Sequence, residues 1–271
     1  MLCLMMEKKN RNNGKTRKLA CYPIVVLVFV FLVYQTTNTS VAFAQVSNNA
    51  NATQPNIDAT NLFNTKTMVL GNNVKNLVIL IPNEGHHGPN EDMEARFIGQ
   101  QFVPETAVIN SGTTVSWFNG DVGHERTVNV KDTNGDSLLF STGEITDMQV
   151  SKTNTFNKTG TYDYEAEGDP GVTMKGSIIV DNIRSPITNS DNSGIDTVGV
   201  LMVPTQDKDR YIQEVKNGGL AVDSTYDFND LRGGQKGTGD VQTLIVWTSQ
   251  GKDLNSVISP LSEISSTLPY S

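Results

Sequence analysis

A series of short apolar segments between residues 75 and 182 constrains this fold more than any other feature of the sequence. Each segment is rich in Val, Ile, Thr, Phe, Tyr or Trp, and Gly, Pro, Asn and Asp residues separate the segments. Such residues favour strands, and turn residues at this spacing are typical of a sandwich. The segments span 75–81, 94–109, 113–119, 126–132, 137–145, 153–166 and 175–182. We therefore predict an antiparallel, all-β Greek-key sandwich over residues 67–182.

The sequence changes character after this region. Residues 183–196 are polar with one Pro and one Gly, which is typical of a linker. Residues 198–204 and 243–249 predict buried strands, and residues 207–219 predict a helix that ends at a glycine. A second helix is predicted over 253–268, disturbed at Pro260. These elements predict a small α+β domain over residues 197–271.

The N-terminus has the pattern of an export signal. Six Lys and Arg residues precede an uncharged apolar run, residues 19–34, and Ala42 and Ala44 supply the small residues that a signal peptidase accepts. We predict a signal peptide over residues 1–44; the alternative is an uncleaved membrane anchor. Residues 45–66 are rich in Asn, Thr and Ala without an apolar period, which predicts a flexible stalk. Either reading places the folded part outside the cytoplasm, secreted or at the cell surface.

Cleavage at that site would change the charge and remove every thiol. Six of the 21 basic residues and one of the 29 acidic residues lie before residue 45, so 15 basic and 28 acidic residues remain. An acidic surface of this kind repels nucleic acids and anionic lipid headgroups. Both cysteines, Cys3 and Cys21, lie in the same segment. The exported chain therefore has no disulfide and no cysteine nucleophile or ligand.

Four stretches in the β region resemble cupredoxins of the plastocyanin group in their order along the chain. They are "GTTVSWFN", the Asn119 to His124 loop, "NKTGTYDYE" and "MKGSIIV". The resemblance spans residues 94–181 and implies a copper site with His, Cys, His and Met ligands. His124 matches the first His and Met174 matches the Met, whereas Ala166 stands at the Cys position and Asp169 at the second His position. Without the thiolate, the implied site is not a blue copper centre.

Two further imidazoles precede this region. His86 and His87 lie in an acidic loop flanked by Gly and Pro, and with His124 they are all of the histidines in the chain. Imidazole, carboxylate and thioether groups suit copper, and with more carboxylates also zinc or iron. Exposed adjacent histidines are, however, often simply solvated, and a single Met is often core filler.

The sequence thus predicts an exported cupredoxin-like protein that binds copper at a His-based site without cysteine. The candidate ligands are His124, Met174, Asp169, His86 and His87, and copper handling and a redox role both stay open. The alternative is a metal-free module that presents its loops to a cell-surface protein, with membrane contact only if the N-terminal segment is uncleaved. No histidine lies downstream of the serine-rich stretches near the C-terminus, so a catalytic triad in the order Ser, Asp, His is not predicted there. We do not expect an enzyme.

Overall fold

In a computed structural model, the described residues form two six-stranded β-sheets. The structure describes residues 57–83, 98–132, 137–167, 173–182, 195–229 and 241–267. The twelve strands are β1 (Thr67–Val69), β2 (Asn76–Ile81), β3 (Thr106–Asn110), β4 (Thr113–Asn119), β5 (Arg126–Lys131), β6 (Leu138–Ile145), β7 (Asn154–Phe156), β8 (Gly160–Glu167), β9 (Thr173–Asp181), β10 (Ile195–Pro204), β11 (Ala221–Asn229) and β12 (Val241–Gln250). The helices are α1 (Ala59–Thr65), α2 (Lys208–Asn217) and α3 (Leu254–Ser265). A 3-10 turn at Thr205–Asp207 precedes α2. The predominance of strand is as predicted for the β region.

The strand order mixes parallel and antiparallel pairs. One sheet runs β1-β3-β9-β8-β5-β6, and the other runs β11-β12-β10-β2-β4-β7. The pairs β1–β3, β3–β9, β2–β4 and β2–β10 are parallel, so the prediction of a purely antiparallel sandwich is wrong. Parallel partners need a long connection, and β2 and β4 are indeed joined by a segment that contributes β3 to the other sheet.

The two sheets face each other across a core rich in aromatic residues. Trp117 on β4 lies edge-on to Tyr164 on β8 with ring centroids 5.4 Å apart, and both side chains are buried. Phe156 on β7 packs in the same way against Tyr162 on β8, at 5.0 Å. Such edge-to-face pairs stabilise the contact beyond the burial of their area. The core is therefore continuous from one sheet to the other.

The C-terminal strands extend the second sheet, whereas a separate α+β domain is predicted. Strand β10 pairs with β2 in parallel, from Thr197 opposite Asn76 to Gly199 opposite Val78, and β12 and β11 continue the sheet outward. The described residues between 57 and 267 belong to one compact unit. The physical reason is that nearly every residue of β2 and β10 is buried. Strands of this kind need neighbours on both edges and cover on both faces.

Helix α1 lies within the stretch predicted as a flexible stalk, so the prediction that the stalk extends to residue 66 is wrong. The side chain of Asp58 accepts a hydrogen bond from the backbone N–H of Thr60 and caps the helix. Leu62 and Ala59 are buried. The backbone N–H groups of Ile57 and Ala59 donate to side chains of β11, so this segment is attached to the second sheet.

Helices α2 and α3 lie where the sequence predicts them, with one difference. Helix α3 begins after Asp253, whose side chain accepts from the backbone N–H of Ser256 at 3.0 Å. It continues through Pro260, where a disturbance is predicted. A proline removes one backbone hydrogen bond, but burial of Val257, Leu261 and Ile264 retains the helix.

Asp196 connects β10 to its neighbours and gives the fold a pH dependence. Its carboxylate lies 2.8 Å from the ammonium of Lys75 and accepts the backbone N–H of Gly251. These two contacts hold the pKa of Asp196 below its ordinary value. A lowered carboxyl pKa adds stability at pH values above the ordinary value, and that stability is lost as the pH falls through the lowered pKa.

We expect Asp196→Asn to lower the free energy of unfolding at pH 7 by less than about 1 kcal/mol, because Lys75 is largely exposed. The difference between the variant and the original protein should shrink as the pH falls from about 4 through the lowered pKa of Asp196, since the carboxyl group then becomes neutral in the folded protein as well. Urea unfolding at a series of pH values measures this, and a difference that grows toward acid pH would contradict it.

Several predictions lie outside the described residues. These are the signal peptide over 1–44, the stalk over 45–56, the histidine loop and the linker over 183–194. In the described part of the chain, no helix is long and apolar enough to cross a membrane.

Candidate metal site at one pole of the sandwich

The loop between β4 and β5 is organised by the buried side chain of Asn119. Its amide nitrogen donates to the carbonyl of His124 at 2.7 Å and to the carbonyl of Ile145 at 3.0 Å. Its amide oxygen accepts the backbone N–H of Asp121 at 3.1 Å. One side chain thus binds the loop at two points and attaches it to β6. The loop is therefore held in a fixed position. We call the end of the sandwich formed by this loop, residues 120–125, and the end of β6 at Ile145 the pole.

A buried ion pair joins this loop to the first residue of β5. Asp121 and Arg126 have side chains only 1% and 4% exposed. Both Nε and Nη2 of Arg126 donate to Oδ2 of Asp121, Nε at 3.1 Å. The remaining terminal nitrogen, Nη1, donates to the carbonyl of Glu167 at 3.2 Å. A buried guanidinium needs such partners, because an unpaired charge inside a protein is very unfavourable.

His124 lies beside Asp121, with its side chain about one third exposed. Its Nδ1 is buried and lies 3.4 Å from Oδ1 of Asp121, too long and poorly aligned for an ordinary hydrogen bond. Its backbone N–H donates to the carbonyl of Asp121 at 3.3 Å. Because Nδ1 faces a carboxylate, Nε2 is the nitrogen that can receive a metal ion.

Met174 and Ala166 are brought together, but inside the sandwich. They are opposite each other in the pairing of β8 with β9, and both are buried. On the other side of β8, Ala166 is paired with Val128 of β5. Met174 is therefore part of the hydrophobic core. A methyl group stands where the resemblance places a thiolate.

At the pole, the inward-facing residue at the start of β5 is Arg126, whereas His124 lies in the loop before the strand. Buried and half-buried residues alternate along β5, so that Arg126, Val128 and Val130 face the core. Arg126 lies one inward position beyond Val128, and its guanidinium reaches the carbonyl next to Ala166. A guanidinium has no lone pair to offer a metal, and its charge opposes that of a cation. The interior residues therefore do not fit a copper ion, whereas His124 fits as a single donor at the outer edge.

The other predicted ligands lie elsewhere. His86, His87 and Asp169 are outside the described residues. Within the described ranges, no group of three or more His, Cys, Asp or Glu side chains is placed to hold a metal ion. The structure thus describes two of the five predicted ligands, His124 on the loop and Met174 in the core.

Sequence reasoning missed the roles of Asn119, Asp121 and Arg126. The signal for Arg126 is present, because alternation in "RTVNVK" continues back to it from Val130 and Val128. A charged residue at an inward position requires a buried partner of opposite charge. Asp121 is the acidic residue five positions earlier, in the loop that leads into the strand.

The fold and the site define a two-sheet β protein with a cluster of polar loop residues at one pole. The solved structures that are similar to this chain include copper proteins. A purple cupredoxin from Nitrosopumilus maritimus is 26% identical over 39% of this chain and 99% of that chain, with a TM-score of 0.29. A copper-containing nitrite reductase from Thermus scotoductus SA-01 is 20% identical over 44% of this chain and 28% of that chain, with a TM-score of 0.32. A reduced rusticyanin is 18% identical over 43% of this chain and 85% of that chain, with a TM-score of 0.29.

These likenesses cover less than half of the chain, and the match spans little more than a quarter of the nitrite reductase. No family model and no curated protein matches the chain.

Proposed function

We propose that this chain is an exported cupredoxin-like protein that binds copper through Nε2 of His124 at the outer edge of the pole. The observation that carries the proposal is the position of Nδ1, buried against the carboxylate of Asp121 at 3.4 Å. This contact leaves Nε2 for the metal. The role is binding without substrate turnover. The basic and apolar leader before residue 45 supports export.

The support for His124 comes from the groups behind it. Ligating histidines usually have a carboxylate or carbonyl at their second nitrogen, which fixes the ring and raises its basicity. Asp121 is suited to this role because Arg126 holds it and Asn119 fixes its backbone. The backbone at His124 is also fixed, because its carbonyl accepts a hydrogen bond from Asn119, so the imidazole projects from a defined position.

The co-ligands proposed for the same ion are His86, His87 and Asp169. Their residue types suit copper, and with more carboxylates also zinc or iron. Met174 is not among them, because its side chain is fully buried in the hydrophobic core. Copper held by imidazole and carboxylate without a thiolate is a non-blue centre, suited to copper handling or slow redox chemistry.

The test is copper retention by the purified protein after dialysis. We expect His124→Ala to weaken copper binding about tenfold or more, the scale of effect of losing even a supporting group at a metal site. Glu125→Gln, an exposed neighbour, and Met174→Leu, a volume-conserving core change, are matched controls that should retain copper. Equal retention by His124→Ala and the original protein would reject the proposal.

Full burial of Met174 and Ala166 favours a second candidate function. A pole packed in this way is also suited to a metal-free module that presents its loops to a cell-surface partner. This candidate predicts no copper above the level of a buffer control in the original protein and in every variant. The same dialysis experiment therefore separates the two functions.

A further inference from the structure

The inner face of the first sheet carries a row of small and apolar side chains at the pole. Val128, Ala166 and Met174 occupy three adjacent strands, β5, β8 and β9, and all three side chains are buried. The next inward position of β5 toward the pole is Arg126. The guanidinium of Arg126 therefore borders these apolar side chains on the side of the pole.

The charge of this guanidinium is held inside the protein by several contacts. Its three nitrogens donate to the carboxylate of Asp121 and to the carbonyl of Glu167. The pair is nearly fully buried, so the attraction between its charges is screened much less than that of a surface pair. A metal ion beside Ala166 and Met174 would find no donor at the inward position of β5, because a guanidinium has no lone pair to offer it.

We propose that the Arg126 guanidinium, bound by the Asp121 carboxylate, takes the place of a metal ion at the interior of this pole and is a permanent cationic group there. Arg126 therefore occupies the inward-facing position on β5 at which a ligand would stand, and His124 lies before the strand, in the loop. This inference concerns the interior of the sandwich and does not depend on copper binding at the outer edge.

The test introduces a thiolate at position 166 and determines whether an imidazole at position 124 or at position 126 binds copper beside it. Ala166→Cys alone is compared with Asp121→Asn/Arg126→His/Ala166→Cys, each purified as the full chain and titrated with Cu(II). Asn at position 121 avoids leaving an unpaired buried carboxylate. The measured quantity is the visible charge-transfer absorption of a copper–thiolate bond.

We expect at least about tenfold tighter Cu(II) binding to the thiolate in the triple variant than in Ala166→Cys, equivalent to about 1.4 kcal/mol. Adding His124→Ala to the triple variant should leave the absorption unchanged. A strong band in Ala166→Cys that His124→Ala abolishes would overturn the proposal, because His124 would then be the inward ligand. That comparison needs no change at Arg126, so it decides the question even if the triple variant does not fold.

Discussion

Asp121→Ala should lower the free energy of unfolding by about 3 to 5 kcal/mol, one of the two largest effects expected in this protein. The carboxylate is 1% exposed and holds two nitrogens of the Arg126 guanidinium. Its removal takes away the carboxylate that binds two nitrogens of this guanidinium inside the protein. Urea unfolding monitored by the fluorescence of the two tryptophans measures the change.

The matched control is Asp121→Ala/Arg126→Met. Removing both charges restores most of the lost stability, because an apolar side chain of similar length needs no counter-charge. A double variant as unstable as the sum of the two single variants would contradict this explanation. It would show that the two residues act independently.

Gly199→Ala is expected to have the second large effect. Gly199 on β10 lies opposite Trp247 on β12, and a Cβ at position 199 would stand 2.2 Å from Cζ2 of the indole ring. The ring is fully buried and β10 is paired on both edges, so neither side can move freely. We expect a loss of about 3 kcal/mol in the free energy of unfolding, at the upper end of overpacking effects.

The comparison for this prediction uses the ring itself. Trp247→Ala alone should cost about 3 to 5 kcal/mol through the cavity that it creates. In that background Gly199→Ala should cost much less, since the atoms that it would strike are gone. Equal costs of Gly199→Ala with and without the ring would refute the clash.

The strands of the β region were predictable because their residues alternate and turns separate them. The segment 113–119 matches β4 at both ends, and 126–132 and 137–145 match β5 and β6 to within one residue. Strand β11 was missed although Val222, Tyr226 and Phe228 give it an apolar pattern. Acidic residues between them weaken that pattern, and pairing with β12 supplies the stability that local sequence does not.

The sheet to which a strand belongs could not be predicted. The buried runs of β2 and β10 show only that each strand needs neighbours, not which ones. Their parallel pairing joins residues about 120 positions apart, for which local pattern carries no information. This is why the C-terminal strands were predicted as a separate domain.

The resemblance matches the first histidine ligand to His124, in the loop after Asn119. The inward-facing residue at the start of β5 is Arg126. A shift of two residues keeps the same face of a strand, so periodicity alone does not distinguish the alternatives once a loop intervenes. The buried carboxylate and guanidinium distinguish them in the structure.

The most direct measurement is the nitrogen NMR spectrum of the His124 imidazole in the purified protein as Cu(I) is added. Nitrogen-15 labelling resolves Nδ1 from Nε2, and Cu(I) leaves the signals visible because it is diamagnetic. We predict that the Nε2 signal shifts on binding, while the signal of Nδ1, which is buried 3.4 Å from Oδ1 of Asp121, changes much less. Binding of copper with no change at either nitrogen of His124, or with Nδ1 as the shifted atom, would contradict the account.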